Sequence, residues 1–378
     1  MQTTNRIVMK RVSYMSKIIV VGAGIVGVSV AYQLSKSNHQ VTLIDADFEG
    51  RATSAAAGII CPWVSQRRNK AWYSLASKSA KFYPQLIHEL KEQGIEETGY
   101  KQVGTLVVKD DEKRLNKIVE IVNKRKEHAP EIGEIKWLNT TETKEKFPLV
   151  ADGYFSLYVS GGARVHGEKL RQALLAACEK NGVTFVTGEA NFIDNTITVK
   201  GEPFTADKIV LTAGAWFTEL VKPLGIQGQV KPQKAQITTL KIEEDTSDWP
   251  VIMPPGSHYM VPFENGVISA GTTHEDDAGF DTDITPGGIH QIFTDTFNIA
   301  PSLAQSKLLK VEVGFRPVAP NFLPVFGELP NHPGMYAANG LGSSGLTTGP
   351  FIGKELAKLV VGEPLEVDVK DFPVSSIL

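Results

Sequence analysis

Lys17-Ile18-Ile19-Val20-Val21-Gly22-Ala23-Gly24-Ile25-Val26-Gly27 decides the fold. Four consecutive β-branched residues ahead of a glycine cluster predict a short buried strand. Ile25, Val28, Ala31 and Tyr32 then recur at helical spacing, and residues 41–44 form a second apolar run ending at Asp45. Strand, glycine turn, helix and strand make the first unit of a parallel α/β sheet. The glycines permit a tight turn and let backbone amides approach a pyrophosphate, whose charge the helix N-terminus favours. Asp45, 18 residues after Gly27, puts a carboxylate where ribose hydroxyls would lie. The expected ligand is a dinucleotide on Gly22, Ala23, Gly24, Ile25, Val26, Gly27 and Asp45. These residues alone do not say which dinucleotide.

The 378 residues correspond to two or three domain-sized units. Hydrophobic residues at 42% and charged residues at 21% describe an ordinary folded protein and exclude disorder, collagen and coiled coil. The net charge of −3, without a concentrated basic patch, argues against nucleic acid or an anionic membrane surface as partner. Cys61 and Cys178 are too few for a disulfide framework or a four-thiolate zinc site, which fits a cytoplasmic setting. The longest apolar stretch, residues 18–32, is too short and too rich in glycine to span a membrane. Residues 1–14 mix Arg6, Lys10 and Arg11 with polar residues and lack the apolar core of a signal peptide. They read as a dispensable extension before a start at Met15.

Further along, Leu75, Ser79, Phe82, Leu86 and Leu90 predict a long helix stopping near Gly94 and kinked or broken at Pro84. Residues 105–108 predict a strand. Leu115, Ile118, Val119 and Val122 predict a helix whose lysines and arginines form a solvated face. Leu170, Leu174, Ala177 and Cys178 mark another helix, ending at Gly182 and followed by a strand over 183–186. Alternation around Asp194-Asn195 predicts a hairpin. Residues 209–211 make a further buried strand. Thr285 and Pro286 cap a helix within a strand-rich region over 226–310, and a last helix ends at Gly362. Two textures interleave. The expected fold class is α/β with an α+β second domain. Residues 15–95, 160–225 and 311–378 form a Rossmann-like nucleotide domain, and 96–159 and 226–310 a mixed-sheet substrate domain.

At Arg51-Ala52-Thr53-Ser54-Ala55-Ala56-Ala57-Gly58-Ile59 the sequence resembles the D-amino acid oxidase and glycine oxidase family of flavoenzymes. The resemblance implies FAD, bound non-covalently, with Arg51, Thr53, Ser54, Ala56, Ala57, Gly58 and Ile59 passing close to the flavin ring. It implies that Asp45 and Ala46 meet the ribose and that Ala190 meets the adenine. Thr212, Ala213, Gly214 and Trp216 form a turn near the pyrophosphate. Gly340, Leu341, Gly342, Ser343, Ser344, Gly345, Leu346 and Thr347 form the loop that closes over the flavin. Two positions depart from the family pattern. Gly167 stands where many relatives carry proline, a difference expected to touch only a helix start. Ser343-Ser344 stands where sarcosine-oxidase-like members carry histidine.

Gly314-Phe315-Arg316-Pro317 matches the family's carboxylate-binding motif. A guanidinium grips a carboxylate through two parallel bonds, fixing orientation as well as position. Tyr259 has two readings, a pocket hydroxyl or a core ring. His258 falls on the opposite strand face. His274 is a further pocket candidate; with Glu275, Asp276 and Asp277 it reads as an exposed acidic turn rather than a metal site. Catalysis is thus expected at Arg316, Tyr259 and His274. The resemblance implies oxidation of a small amino acid or amine carrying a carboxylate, with oxygen or a quinone as electron acceptor and a homo-oligomer as a possible assembly. Two rivals stay open, a nicotinamide-dependent dehydrogenase and a non-catalytic FAD subunit.

Overall fold

The computed structural model describes residues 15–378, so the expectation for residues 1–14 lies outside the described residues. Strand β1 (Lys17–Val21), helix α1 (Ile25–Ser35) and strand β2 (Gln40–Asp45) form where the opening motif places them. They lie in a six-stranded sheet, ordered Val325–Glu328, Met335–Asn339, Lys208–Leu211, β1, β2, Thr184–Thr187. Every pair is parallel except the first. Ile18 and Val20 face α1 and the helices Gly167–Lys180 and Gly345–Val361. Ile19 and Val21 face a second core with Phe192, Ile197 and Phe217. Burial on both faces explains why β1 is a continuous apolar run rather than an alternating one.

A second sheet of eight strands is ordered Lys307–Val318, Lys231–Lys241, Val267–Gly271, Tyr259–Pro262, Val251–Met253, Thr105–Lys109, Phe155–Val159, Ile135–Leu138. One face packs Met260, Ile268 and Ala270 with Ile299 and Ala300, at the end of helix Pro286–Ile299. The other turns Val261 and Tyr259 toward Ala57 and Ile59 of the small-residue loop. The boundary expected at residue 311 falls inside the strand Lys307–Val318, which pairs with Lys231–Lys241 from Lys307 through Val318. The carboxylate motif therefore sits on the second sheet.

The expected hairpin turns at Asp194 and Asn195, both at positive φ. Thr285 accepts from the Gly288 amide, Pro286 opens that helix, and Gly362 ends the last one in the left-handed conformation. Pro84 does not break its helix, which runs Lys70–Glu92. Tyr83 and Leu86 on either side are buried, so packing of the long apolar face outweighs one lost hydrogen bond. A Cβ on Gly353 would meet Ser29 Cβ at 2.5 Å, and one on Gly349 would meet Ile25 at 2.8 Å. Those glycines let the last helix lie directly on α1.

Candidate active site

The glycine turn is built by exclusion. A Cβ on Gly22 would lie 2.5 Å from the Thr212 carbonyl oxygen, and one on Gly27 would lie 1.8 Å from the Gly22 carbonyl. Gly22 adopts φ +96°, and its amide bonds the Ile44 carbonyl at 2.8 Å. Thr212 Oγ1 donates to the Val21 carbonyl at 2.8 Å, locking the turn against the strand Lys208–Leu211. The first amide of α1, Ile25 N–H, donates to Thr53 Oγ1 at 2.9 Å. Asp45 accepts from the Ala23 amide, from the Asp47 amide at 2.8 Å and from Arg51 Nη2 at 2.7 Å. It fastens the turn to its own loop as well as presenting a carboxylate.

One continuous cavity of about 720 Å³ starts at this turn. Its wall gathers Gly22, Gly24, Ile25, Val26, Asp45, Ala46, Arg51, Thr53, Ala56, Ala57, Gly58 and Ile59. Ala190, Thr212, Ala213, Gly214, Trp216, Leu341, Gly342, Ser343, Ser344, Gly345, Leu346 and Thr347 complete that part. Four expected contacts stand behind the wall instead. Gly27 packs on Gly22 and Thr212, and the Ala23 carbonyl accepts from Arg171 Nε at 2.7 Å. Gly340 abuts Ala319 and Leu323. Ser54 Oγ donates to Glu168 Oε2 at 2.6 Å, because the chain there alternates between cavity and helix.

Gly167 does more than start a helix. A Cβ there would lie 2.0 Å from the Thr53 carbonyl oxygen, so its bareness admits the cofactor loop. Gly58 does likewise for Val165, whose carbonyl lies 1.8 Å from the position of a Gly58 Cβ. The closing loop is clipped from two sides. Thr347 Oγ1 donates to the Ile59 carbonyl at 3.0 Å, and the Tyr83 hydroxyl donates to the Leu346 carbonyl. Trp216 stacks on Phe280 at a ring-centroid distance of 5.2 Å and lies tilted against Phe48 at 5.3 Å.

Arg316, Tyr259 and His274 all line the far part of the same cavity. Arg316 Nη1 donates to Gln233 Oε1 and the Thr273 carbonyl, and Nη2 to Thr272 Oγ1, each at 3.1 Å. Of its five N–H groups, this leaves Nε–H and one on Nη2, the edge of the fork that matches a carboxylate. Phe315 anchors the position: its amide donates to the Gly50 carbonyl at 2.9 Å, and it bridges to Arg51 in parallel. Tyr259 lies across Gly271, where even a Cβ would meet its hydroxyl at 3.1 Å. Burial pushes its pKa up to about 12, with Arg316 nearby opposing, so it remains a donor at neutral pH. His258 faces the other way, with Nε2 3.1 Å from Thr296 Oγ1. Burial lowers its pKa to about 4. His274 is exposed at the cavity mouth; burial of part of the ring and the Arg316 charge lower its pKa, leaving it neutral. Glu275 turns inward to Gln236 and Thr273.

Sequence reasoning did not single out Arg67, Trp72 or Ser257 on the wall, nor Gln233 and Thr272 behind Arg316. Arg67 sits in an irregular stretch with no periodic pattern. Asn69, which caps the following helix by accepting from the Trp72 amide at 2.8 Å, was the only local signal there. Cys61 reaches the wall, but burial pushes its thiol up to about 12, an inert state.

A glycine turn opening a helix, an acidic residue closing β2, a small-residue loop and a capping loop around one cavity define a dinucleotide-dependent oxidoreductase. The family model described as "DAO: FAD dependent oxidoreductase" matches residues 17–359, and the chain belongs to that family. The enzyme is FAD-dependent and acts on amines or amino-acid-like substrates, and family membership removes the nicotinamide rival. The chain is 49% identical over 371 residues to an uncharacterized oxidoreductase of Bacillus subtilis, covering 96% of this chain and all of that one. It is 28% identical to the glycine oxidase of Pseudomonas aeruginosa, over 92% of this chain and 96% of the relative. The crystal structure of iminodiacetate oxidase from Chelativorans superposes with a TM-score of 0.92 at 38% identity. The match covers 94% of this chain and 98% of that one. Among the described residues, no helix is long and apolar enough to cross a membrane.

FAD fits the residues present. The bare glycines leave no side chain between the turn and the cavity, and the wall of small residues ends at a loop feeding a helix N-terminus. When bound, FAD supplies the capacity to accept two electrons, delivered together as a hydride.

Proposed function

We propose that this enzyme oxidises a small amino acid or secondary amine carrying a carboxylate, at the carbon between nitrogen and carboxylate. The observation that carries this reading is the unused edge of the Arg316 fork on the cavity wall, on a strand tied by backbone to the cofactor loop. Arg316 holds the carboxylate. Tyr259 donates to it, or to a water bound beside it, through a hydroxyl that stays protonated. The amine enters uncharged and needs no side-chain base. Cα gives up hydride and nitrogen gives up a proton, and water hydrolyses the resulting imine to a keto acid and an amine. Glycine, N-methylglycine, a D-amino acid or a cyclic imino acid has the required carboxylate and Cα–H. The activities for which the glycine oxidase and iminodiacetate oxidase relatives are named fall in this class.

FAD is held without a covalent bond, since Cys61 is a buried thiol of high pKa. Asp45 and Ala46 serve its ribose, Ala190 its adenine, and residues 341–347 its ring. Residues 15–95 and 160–225 with the C-terminal part form the cofactor domain. Residues 96–159 and 226–310, with the strand that ends at Val318, form the substrate domain. Oxygen or a quinone reoxidises the flavin. The test is an anaerobic screen of amino acids and N-substituted glycines for bleaching of the flavin absorbance. Bleaching by carboxylate-bearing amines is the expected result; bleaching by none of them refutes the reading.

A further inference from the structure

Once the stretches assigned to FAD are set aside, the remaining cavity wall carries two formal charges, and both are guanidinium groups, Arg316 and Arg67. The four carboxylates of the wall, Asp45, Asp47, Glu189 and Glu219, all belong to stretches assigned to the nucleotide end or adjoining it. The substrate end is therefore a chamber with two positive groups and no negative one.

Arg67 is an exposed residue at the edge of the cavity wall, held there by its neighbours. Arg125 Nη1 clasps the carbonyls of Trp63 and Ser65 at 2.6 and 2.7 Å, fixing the stretch before it. The Arg67 guanidinium lies 4.7 Å from the Trp72 ring centroid, and its Nη2 donates to the Phe322 carbonyl at 2.6 Å. That one bond leaves four N–H groups for an acceptor, Nε–H and both Nη1 hydrogens among them. Arg51, Arg164 and Arg171 each have a carboxylate partner, whereas Arg125 and Arg316, like Arg67, are tied only to uncharged oxygens. Among the described residues Arg67 is in no ion pair, and partial burial lowers its pKa with no carboxylate opposing. An arginine stacked on a tryptophan, tied by a carbonyl at a cavity wall and left without an anion, has the form of half an ion pair.

We propose that Arg67 receives a second carboxylate, and that the preferred substrate is a secondary amine flanked by two carboxymethyl-type arms. Arg316 holds the arm undergoing oxidation and Arg67 the other. This inference rests on the reading of Arg316 given above. The two guanidinium groups match a dianion in charge, and two anchored ends fix the nitrogen and Cα between them better than one end can.

Iminodiacetate and N-methylglycine make the test, because they differ by one carboxylate on the second arm. With the holoenzyme under anaerobic conditions, the ratio of their specificity constants for flavin reduction is measured for wild type, Arg67→Gln and Arg67→Lys. Wild type prefers iminodiacetate. Arg67→Gln lowers the ratio roughly ten- to a hundred-fold, the range for one charged hydrogen-bonding partner. Arg67→Lys retains part of the preference. Calorimetric titration with two unreactive thioethers, thiodiacetate and methylthioacetate, shows the same loss of preference in binding. A ratio untouched by Arg67→Gln overturns the inference, whether both substrates remain fast or both slow equally. If neither amine bleaches wild type and neither thioether binds, the reading of Arg316 fails first. Flavin content and thermal midpoint verify that the variants fold, and Arg67→Lys carries the test if Arg67→Gln does not.

Discussion

The two ends of the cavity are made from different materials. At the nucleotide end the chain offers backbone: the Gly22 turn, the first amides of α1 and the bare surfaces of Ala56, Ala57 and Gly58. At the substrate end it offers side chains, Arg67, Tyr259, His274 and Arg316, from four separate stretches. A backbone cradle must be written as a contiguous pattern, because each missing Cβ is needed at its own position. A side-chain chamber is constrained only by where its strands and loops meet in space. The first is rigid against substitution, and the second can change one residue at a time.

The largest expected effect probes the second kind. Arg316→Leu leaves a substrate carboxylate without its partner, which costs about 3–5 kcal/mol, or roughly two to four decades in specificity constant. FAD content should remain near wild type. The check is the rate of flavin reduction by a carboxylate-bearing amine and by one without a carboxylate; equal losses for both would make Arg316 structural.

Next comes His258, just before the strand Tyr259–Pro262 and turned away from the cavity toward Thr296. His258 has a folded pKa of about 4, lowered by burial, with Asp295 partly opposing. The unfolded chain takes up a proton near 6.5 that the folded chain refuses. Stability is therefore full above pH 6.5 and falls as pH drops toward 4, by about 3 kcal/mol in all. His258→Phe should flatten this acid limb. Thermal midpoints measured across that window decide it, and unchanged slopes would mean the imidazole is not buried in neutral form.

The smallest expected effect tests the nucleotide end. Asp45→Ala removes the acceptor proposed for the ribose and the tie to Ala23 and Arg51 together. Hydrogen bonds to a charged group contribute ~1.5–3 kcal/mol, so FAD affinity should drop by about one to two decades. Excess FAD should restore much of the turnover. An unchanged dissociation constant would remove Asp45 from the cofactor site.

What could be read from the sequence follows the same division. β1, α1, β2 and the closing helix were legible because burial on both faces, helical spacing and glycine caps are local signals. The hairpin at Asp194-Asn195 was legible for the same reason. Pro84 does not end its helix because a local rule about proline yields to ten buried side chains along it. Ser54 misled because a run of small residues does not show which of them turns to the cavity and which to Glu168. Arg316 was legible through family resemblance, whereas Gln233 and Thr272, which aim it, lie some 40 to 80 residues away and follow no pattern. Arg67 is aimed by Phe322 across 255 residues of chain, a relation that periodicity does not carry.

The short parallel bridge between Arg51 and Phe315 sets a gauge for the whole catalytic space. It joins the loop proposed to line the flavin to the residue just before the proposed carboxylate clamp through main-chain atoms, which most side-chain substitutions leave in place. The spacing between the Arg51 loop and Arg316 is thus set by backbone, while the opposite wall is free to be rewritten. A scaffold built this way can drift from one amine to another through single replacements and keep electron transfer in tune at each step.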